Sequence, residues 1–209
     1  MYEIISNMLQ LIVGAGCAIY SGLLAARHDN QRLFILTCFY FTLALGSLYW
    51  AFYLAVNNYS PKIFYVSDLS WIASCLFLVM LCSSVVTPEE RRYHTIVEWI
   101  LMAVLAGLTA YMLLWGDYLA TITWHGLLMV SGYLSTRGLL YLRSQKERVP
   151  AKEKFYLAIL AFVLIEFGLF LSSCFFPTGD LLRPYLWFDQ ALTASLLFLL
   201  TTTKKVADL

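Results

Sequence analysis

The sequence predicts an all-α membrane protein with seven transmembrane helices, its N-terminus outside and its C-terminus in the cytoplasm. Three observations predict this: an apolar composition, seven long apolar runs, and a one-sided placement of Lys and Arg. Hydrophobic residues make up 61% of the 209 residues and charged residues 13%, about half the charge of an ordinary soluble domain. A soluble chain this apolar lacks the polar surface to cover itself, whereas a bilayer accepts apolar side chains on the outside. A spanning helix needs roughly 20 mostly apolar residues. Helices are the expected element because each backbone N–H and C=O must be satisfied within its own segment. The alternating apolar and polar pattern of barrel strands does not occur.

The whole of 1–209 reads as one transmembrane domain. Span one (Ile4–Ala26) and span two (Leu33–Val56) contain no formal charge and flank a short loop with Arg27 and Arg32. Span three (Ile63–Val86) carries Asp68 and is followed by Arg91 and Arg92. Span four (Thr95–Gly116) contains Glu98, and span five (Tyr118–Leu142) contains His125 and Arg137. The longest loop, Arg143–Lys154, is basic and includes Pro150. Span six (Phe155–Phe176) holds Glu166, and span seven (Pro184–Thr203) holds Asp189 before Lys204 and Lys205. Eleven of the fourteen Lys and Arg then fall on one side, against Lys62 and Arg183 on the other. Cytoplasmic loops hold these residues in excess, which sets the orientation and places the chain in the cell membrane as a multi-pass protein.

The first residues, Met1-Tyr2-Glu3, lack the basic start of a cleaved signal peptide, and the first run is long enough to span. No soluble domain is expected at either end. All five cysteines lie in spans, so no disulfide framework is implied. The sequon Asn58-Tyr59-Ser60 falls on the outer side. The net charge of +1 gives no reason to expect nucleic acid as a partner.

A weak internal repeat runs through the spans. A shift of 121 residues places Asp68 on Asp189, Ser74 on Ser195, Phe34 on Phe155 and Phe41 on Phe162. The pattern is a 3+1+3 plan in which spans one to three repeat, in the same direction, as spans five to seven.

Charges inside spans cost a few kcal/mol on insertion scales and mark functional sites by default. Asp68 and Asp189 each lie five residues into their spans from outside, and His125 lies seven residues in. Glu166 lies near the midplane, where a carboxyl needs a partner or a proton. Faces of the spans gather these groups: Asp68, Trp71 and Cys75; Thr121, His125, Gly132 and Thr136; Glu166 and Ser173; Asp189, Thr193 and Leu197. The expected ligand-binding set is Asp68, Trp71, His125, Glu166, Asp189 and Thr193, in an outer-half pocket with apolar walls. Capping of helix starts by the two Asp, and packing for His125, are the plainer alternatives. Glu98 and Arg137 have nearly matching depths near the cytoplasm and are expected to form a structural ion pair.

Known seven-helix chemistries leave marks that are missing. The last span has no Lys for a retinal Schiff base. Only one of three His lies in a span, too few for a zinc hydrolase site. No metal or other cofactor is expected. The Pro-Gln dipeptide of many small 3+1+3 carriers is absent.

The tract Tyr49–Met80, YWAFYLAVNNYSPKIFYVSDLSWIASCLFLVM, carries a resemblance. Its aromatic helix end (Trp50), outer Pro61, and Asp68 with Trp71 resemble spans two and three of the seven-helix sensor modules at the N-termini of bacterial signalling proteins. The resemblance implies a sensor whose output is a cyclase, phosphodiesterase or kinase. No such domain follows in this sequence, so a separate cytoplasmic partner is implied, met through the loop 143–154.

The leading expectation is therefore a small receptor- or sensor-like protein, not an enzyme, that binds a small molecule and contacts the lipid bilayer. The alternative is a secondary carrier coupled to H⁺ or Na⁺. A lipid-modifying intramembrane enzyme is the third reading.

Overall fold

The computed structural model describes residues 2–57, 66–115, 118–145, 149–175 and 184–208. The described chain is all-helical: α1 (Tyr2–His28), α2 (Gln31–Asn57), α3 (Val66–Val85), α4 (Pro88–Arg92), α5 (Ile96–Met112), α6 (Tyr118–Ser144), α7 (Pro150–Phe175) and α8 (Pro184–Ala207). The expected spans one to seven fall on α1, α2, α3, α5, α6, α7 and α8. The sequon, Pro61, Lys62, Arg183 and the loop residues Lys146 and Arg148 lie outside the described residues.

Four helices are long and apolar enough to cross a membrane: α1 from Ile4, α2, α3 and α7. The other three expected spans depart from that standard for visible reasons. α5 has 17 residues. α6 and α8 are long, with 27 and 24 residues, but hydroxyl and charged residues dilute their apolar content. Exposed side chains such as Ile12, Ile19, Phe34, Phe41, Phe52 and Ile100 cover the outer surface with hydrocarbon. Water would penalise an apolar surface of this extent, whereas lipid does not.

Local chemistry explains the boundaries. α1 and α2 meet in two residues. Asp29 takes a left-handed conformation (φ 46°), and the Asn30 amide donates back to the Ala25 carbonyl at 3.3 Å. That is the Schellman ending of a helix. The Asn30 side chain then accepts from the Arg32 and Leu33 amides at 3.0 and 3.3 Å, capping α2. α7 begins five residues before the expected Phe155, because Pro150 suits a first helical position and Glu153 sits in the first turn.

The short α4 was not expected. Thr87 and Glu90 close a reciprocal capping box around Pro88. The buried Glu90 carboxylate also accepts from Lys152 Nζ and Tyr156 Oη, both at 2.8 Å, tying α4 to α7.

The helices pack in a closed circuit. α1 packs on α2, α2 on α3, α3 on α6, α6 on α7, α7 on α8, and α8 back on α1. α2 also meets α8, and α5 lies outside the circuit against α6 and α7. The interior differs at its two ends. Towards the basic end it is aliphatic and aromatic, with Leu36, Phe39, Tyr40, Leu81, Phe155, Ile159 and Phe162 buried. Phe39 and Phe162 meet edge to face at 5.6 Å, and Tyr40 donates to the Leu196 carbonyl at 2.7 Å. Towards the end where α1 starts, the buried residues are largely polar.

Candidate functional site

That polar interior is built from the first halves of α1, α3, α6 and α8 and the second halves of α2 and α7. α1 contributes buried Ser6, Asn7 and Gln10, three uncharged residues placed on one face by helical spacing. The Ser6 hydroxyl donates to the Asp189 carboxylate of α8 and accepts from Gln190 Nε2 at 2.7 Å. Ser47 of α2 donates to Gln10 Oε1 at 2.7 Å. The Thr193 hydroxyl folds back on the Asp189 carbonyl at 3.1 Å. Glu166 projects from α7 into the same interior, 2% exposed. It lies within electrostatic range of Asp189 and of Cys75 on α3. Its Oε2 is buried with no hydrogen-bond partner.

A second wall is aromatic. Trp50 of α2, Trp71 of α3 and Trp124 of α6 follow one another at 5.5 Å between ring centroids. Trp124 meets Phe170 of α7 at 4.8 Å. His125 packs against Phe167 and Phe170 at 4.8 and 4.7 Å. Its Nδ1 lies 2.8 Å from the Thr121 carbonyl, which can only accept. Nδ1 therefore carries a proton, and in the neutral imidazole Nε2 presents a lone pair. His125 Nε2 and Trp124 Nε1 are both buried without a partner. Gly46 makes room for this wall, since a Cβ there would stand 2.5 Å from the Trp71 indole.

The expected residues are thus distributed between two walls. Trp71 and His125 belong to the aromatic wall through Trp124 and Phe170, and Glu166, Asp189 and Thr193 to the acidic one. Asp68 is half-buried in the first turn of α3. It is on a helix flanked by α2 and α6, whereas Asp189 is on one flanked by α7 and α1. Two expected face members lie elsewhere: Leu197 and Ser173 are exposed. Steps of four residues rotate the face by about 40° each, so Leu197 has turned outward and Leu196 is buried in its place. Ser6, Asn7, Gln10, Ser47 and Gln190 were missed. A search for formal charge passes over hydroxyls and amides, although Ser6 and Gln10 stand at i and i+4 within an apolar run.

Near the basic end, Arg137 binds the Arg91 carbonyl through Nη1 at 2.7 Å. Its Nη2 faces His94 Nδ1 at 3.0 Å and Glu98 Oε1 at 3.5 Å and also meets the Tyr133 hydroxyl. Glu98 and Arg137 are both buried. A cavity of about 740 Å³ opens between α4, the end of α6 and the start of α7, lined by Thr87, Glu90, Tyr141, Leu142, Ser144, Gln145, Val149 and Lys152. Among the described residues, no group of three or more His, Cys, Asp or Glu converges as a metal site.

Comparison with known proteins gives no match: no family model fits the chain, and no curated protein or solved structure is significantly similar to it.

Proposed function

We propose that this chain is a receptor-like protein of the cell membrane that spans the bilayer seven times and binds a small molecule in its outer half. In this reading the start of α1 is outside, the basic end is cytoplasmic, and a separate cytoplasmic partner engages the segment 143–154. The observation that carries the proposal is a set of buried polar atoms without hydrogen-bond partners, Glu166 Oε2 on α7 and His125 Nε2 and Trp124 Nε1 on α6. Each such atom costs about 1–3 kcal/mol if left unmade, a cost that a ligand would remove. Asp68, Trp71, Asp189 and Thr193 complete the proposed binding set.

The test is a thermal-shift screen of the purified protein in detergent. A ligand that stabilises the wild type is expected to lose its effect in the Asp68→Asn, Asp189→Asn double variant. Undiminished stabilisation of that variant would place binding elsewhere. Orientation has its own check, in a background without the native cysteines. Asn57→Cys should react with an impermeant maleimide on intact cells, and Ser144→Cys only after permeabilisation.

A second reading, a carrier coupled to H⁺ or Na⁺, is favoured by the packing circuit. Each adjacency within α1, α2 and α3 has a counterpart within α6, α7 and α8, and α3 on α6 is matched by α8 on α1. Such matching supports a 3+1+3 parallel repeat with α5 as the linking helix. Ion-driven uptake into proteoliposomes that is lost in Glu166→Gln would replace the receptor reading with this one.

A further inference from the structure

Near the basic end, one atom stands between a group that can only donate and a group that can only accept. His94 Nδ1 lies 3.0 Å from Arg137 Nη2 and 3.2 Å from Glu98 Oε1. A guanidinium is a donor alone and a carboxylate an acceptor alone. Nδ1 can serve one of them at a time, and its proton decides which. Without a proton, Nδ1 presents a lone pair and accepts from Arg137. With one, it donates to Glu98.

The two partners sit on different elements. His94 is in the connection 93–95 between α4 and α5, and Glu98 is in the first turn of α5, four residues on. Arg137 belongs to α6. A bond to Glu98 is local to the start of α5, whereas a bond to Arg137 ties that start to another helix. Protons have access to the junction, because the His94 side chain is 59% exposed, although those of Glu98 and Arg137 are buried.

The remaining charged and titratable neighbours come from α4, α6 and the connection itself. Arg91 of α4 accepts from Arg137 Nη1 through its carbonyl at 2.7 Å, and its own guanidinium donates to the Ser83 carbonyl at 3.1 Å. Arg92 is exposed and lies in electrostatic range of Glu89. Tyr133 of α6 meets Arg137 Nη2 through its hydroxyl and carries the guanidinium over its ring, 4.3 Å from the centroid. Tyr93 packs edge to face on Tyr141.

We propose that His94 is a proton-operated latch at the basic end of the bundle. Unprotonated, it fastens the start of α5 to α6 through Arg137. Protonated, it turns to Glu98 and releases that link. Charge acts in the same direction as hydrogen bonding, since a proton on Nδ1 sets a cation against the guanidinium at contact distance. Arg137 keeps its bond to the Arg91 carbonyl in both states, so acid opens the junction without detaching α4. The latch is independent of the outer-half site.

The test uses the full chain in detergent. Ring-nitrogen NMR of labelled histidine, with His94 assigned by its loss in His94→Gln, reports the tautomer. Neutral His94 is expected to hold its proton on Nε2, whereas His125 holds one on Nδ1. A neutral His94 with its proton on Nδ1 would overturn the latch, because that atom would then serve Glu98 at every pH.

The second readout is Trp99, which meets Tyr133 at 5.8 Å and through that ring the Arg137 guanidinium. Its emission is taken, in each background, as the difference made by Trp99→Phe. It is followed between about pH 8 and about pH 5, the range over which an imidazole changes charge. A one-proton step is expected in the wild type. His94→Gln, whose amide oxygen accepts from Arg137 at any pH, should hold the high-pH emission throughout. His94→Lys, which can only donate, should hold the low-pH emission. A step that survives in His94→Gln, or no step in the wild type, would overturn the proposal. His94 is exposed, so both variants are expected to melt near the wild-type temperature.

Discussion

Single residues carry the sharpest expectations. Glu98 and Arg137 are buried together, and removing one partner of such a pair strands the other charge, at about 3–5 kcal/mol. Glu98→Gln is therefore expected to lower the melting temperature in detergent clearly. Glu98→Gln combined with Arg137→Met should recover part of the loss, and an unchanged melting temperature in the single variant would remove the pair from any structural role. Asp29 makes the opposite kind of point. Its left-handed backbone suits Gly and tolerates Asp. Asp29→Gly should leave stability near wild type, whereas Asp29→Val should cost about 1–2 kcal/mol, read by the same thermal assay. At this scale the burial of Glu166, Asp189 and Arg137 was legible, because a formal charge interrupts an apolar run at each, whereas Asp68, read the same way, is only half-buried. The sequence was illegible for Ser6, Gln10 and Gln190, because a neutral polar residue in a helix gains meaning only from the neighbour it faces. The Ser6–Asp189 contact joins positions 183 apart, and nothing local records it.

At the scale of elements, close approach between helices rests on a few glycines. Gly46 on α2 receives the Trp71 indole of α3, and Gly168 on α7 receives the Phe188 ring of α8, each 2.5 Å from an added Cβ. The two sites are analogous, a middle helix opening for an aromatic of the next. Gly46→Ala and Gly168→Ala should both destabilise, and Gly46→Ala should also shift Trp emission. Gly16→Ala, with open space around it, should be silent in both measurements. The two Thr-x-x-Glu boxes show how tertiary context redirects a local signal. At Thr87–Glu90 the box closes. At Thr95–Glu98 the same spacing does not: Thr95 makes no side-chain cap bond, and Glu98 turns to Arg137 and His94 instead. Helix positions were readable from apolar length, yet α4 is five residues of charge and proline, too short for any periodicity to register. Its first turn is expected to respond to pH. The backbone amide of Glu89, and then the Thr87 hydroxyl, hold the exposed Glu89 carboxyl below its usual range. A lowered value in the folded form means the contribution is present above the ordinary carboxylate range and is lost as pH falls through the lowered value. Amide exchange in α4 should therefore quicken on acidification. Glu89→Gln should flatten that dependence.

The arrangement of the whole bundle was the least legible. The repeat by 121 residues could relate helices to helices, but which helix lies beside which is decided by side chains far apart in sequence. One such contact, Cys82 Sγ to Ser135 Oγ at 3.8 Å, joins α3 to α6. Ser135→Cys, with Cys82 as its remaining cysteine partner, should oxidise to an α3–α6 cross-link. The link is visible as a single band on gels after cleavage between the two helices; failure to link would break the circuit at that point. Glu90 gives the bundle a mechanical property as well. It grips α7 at Lys152 and Tyr156, close to the start of that helix. Glu166 lies ten residues beyond Tyr156, about 15 Å along the axis, and Pro150 lies about 9 Å behind it. α7 is thus anchored to α4 near its start, and Glu90→Gln, which weakens both contacts, is expected to lower the melting temperature in detergent.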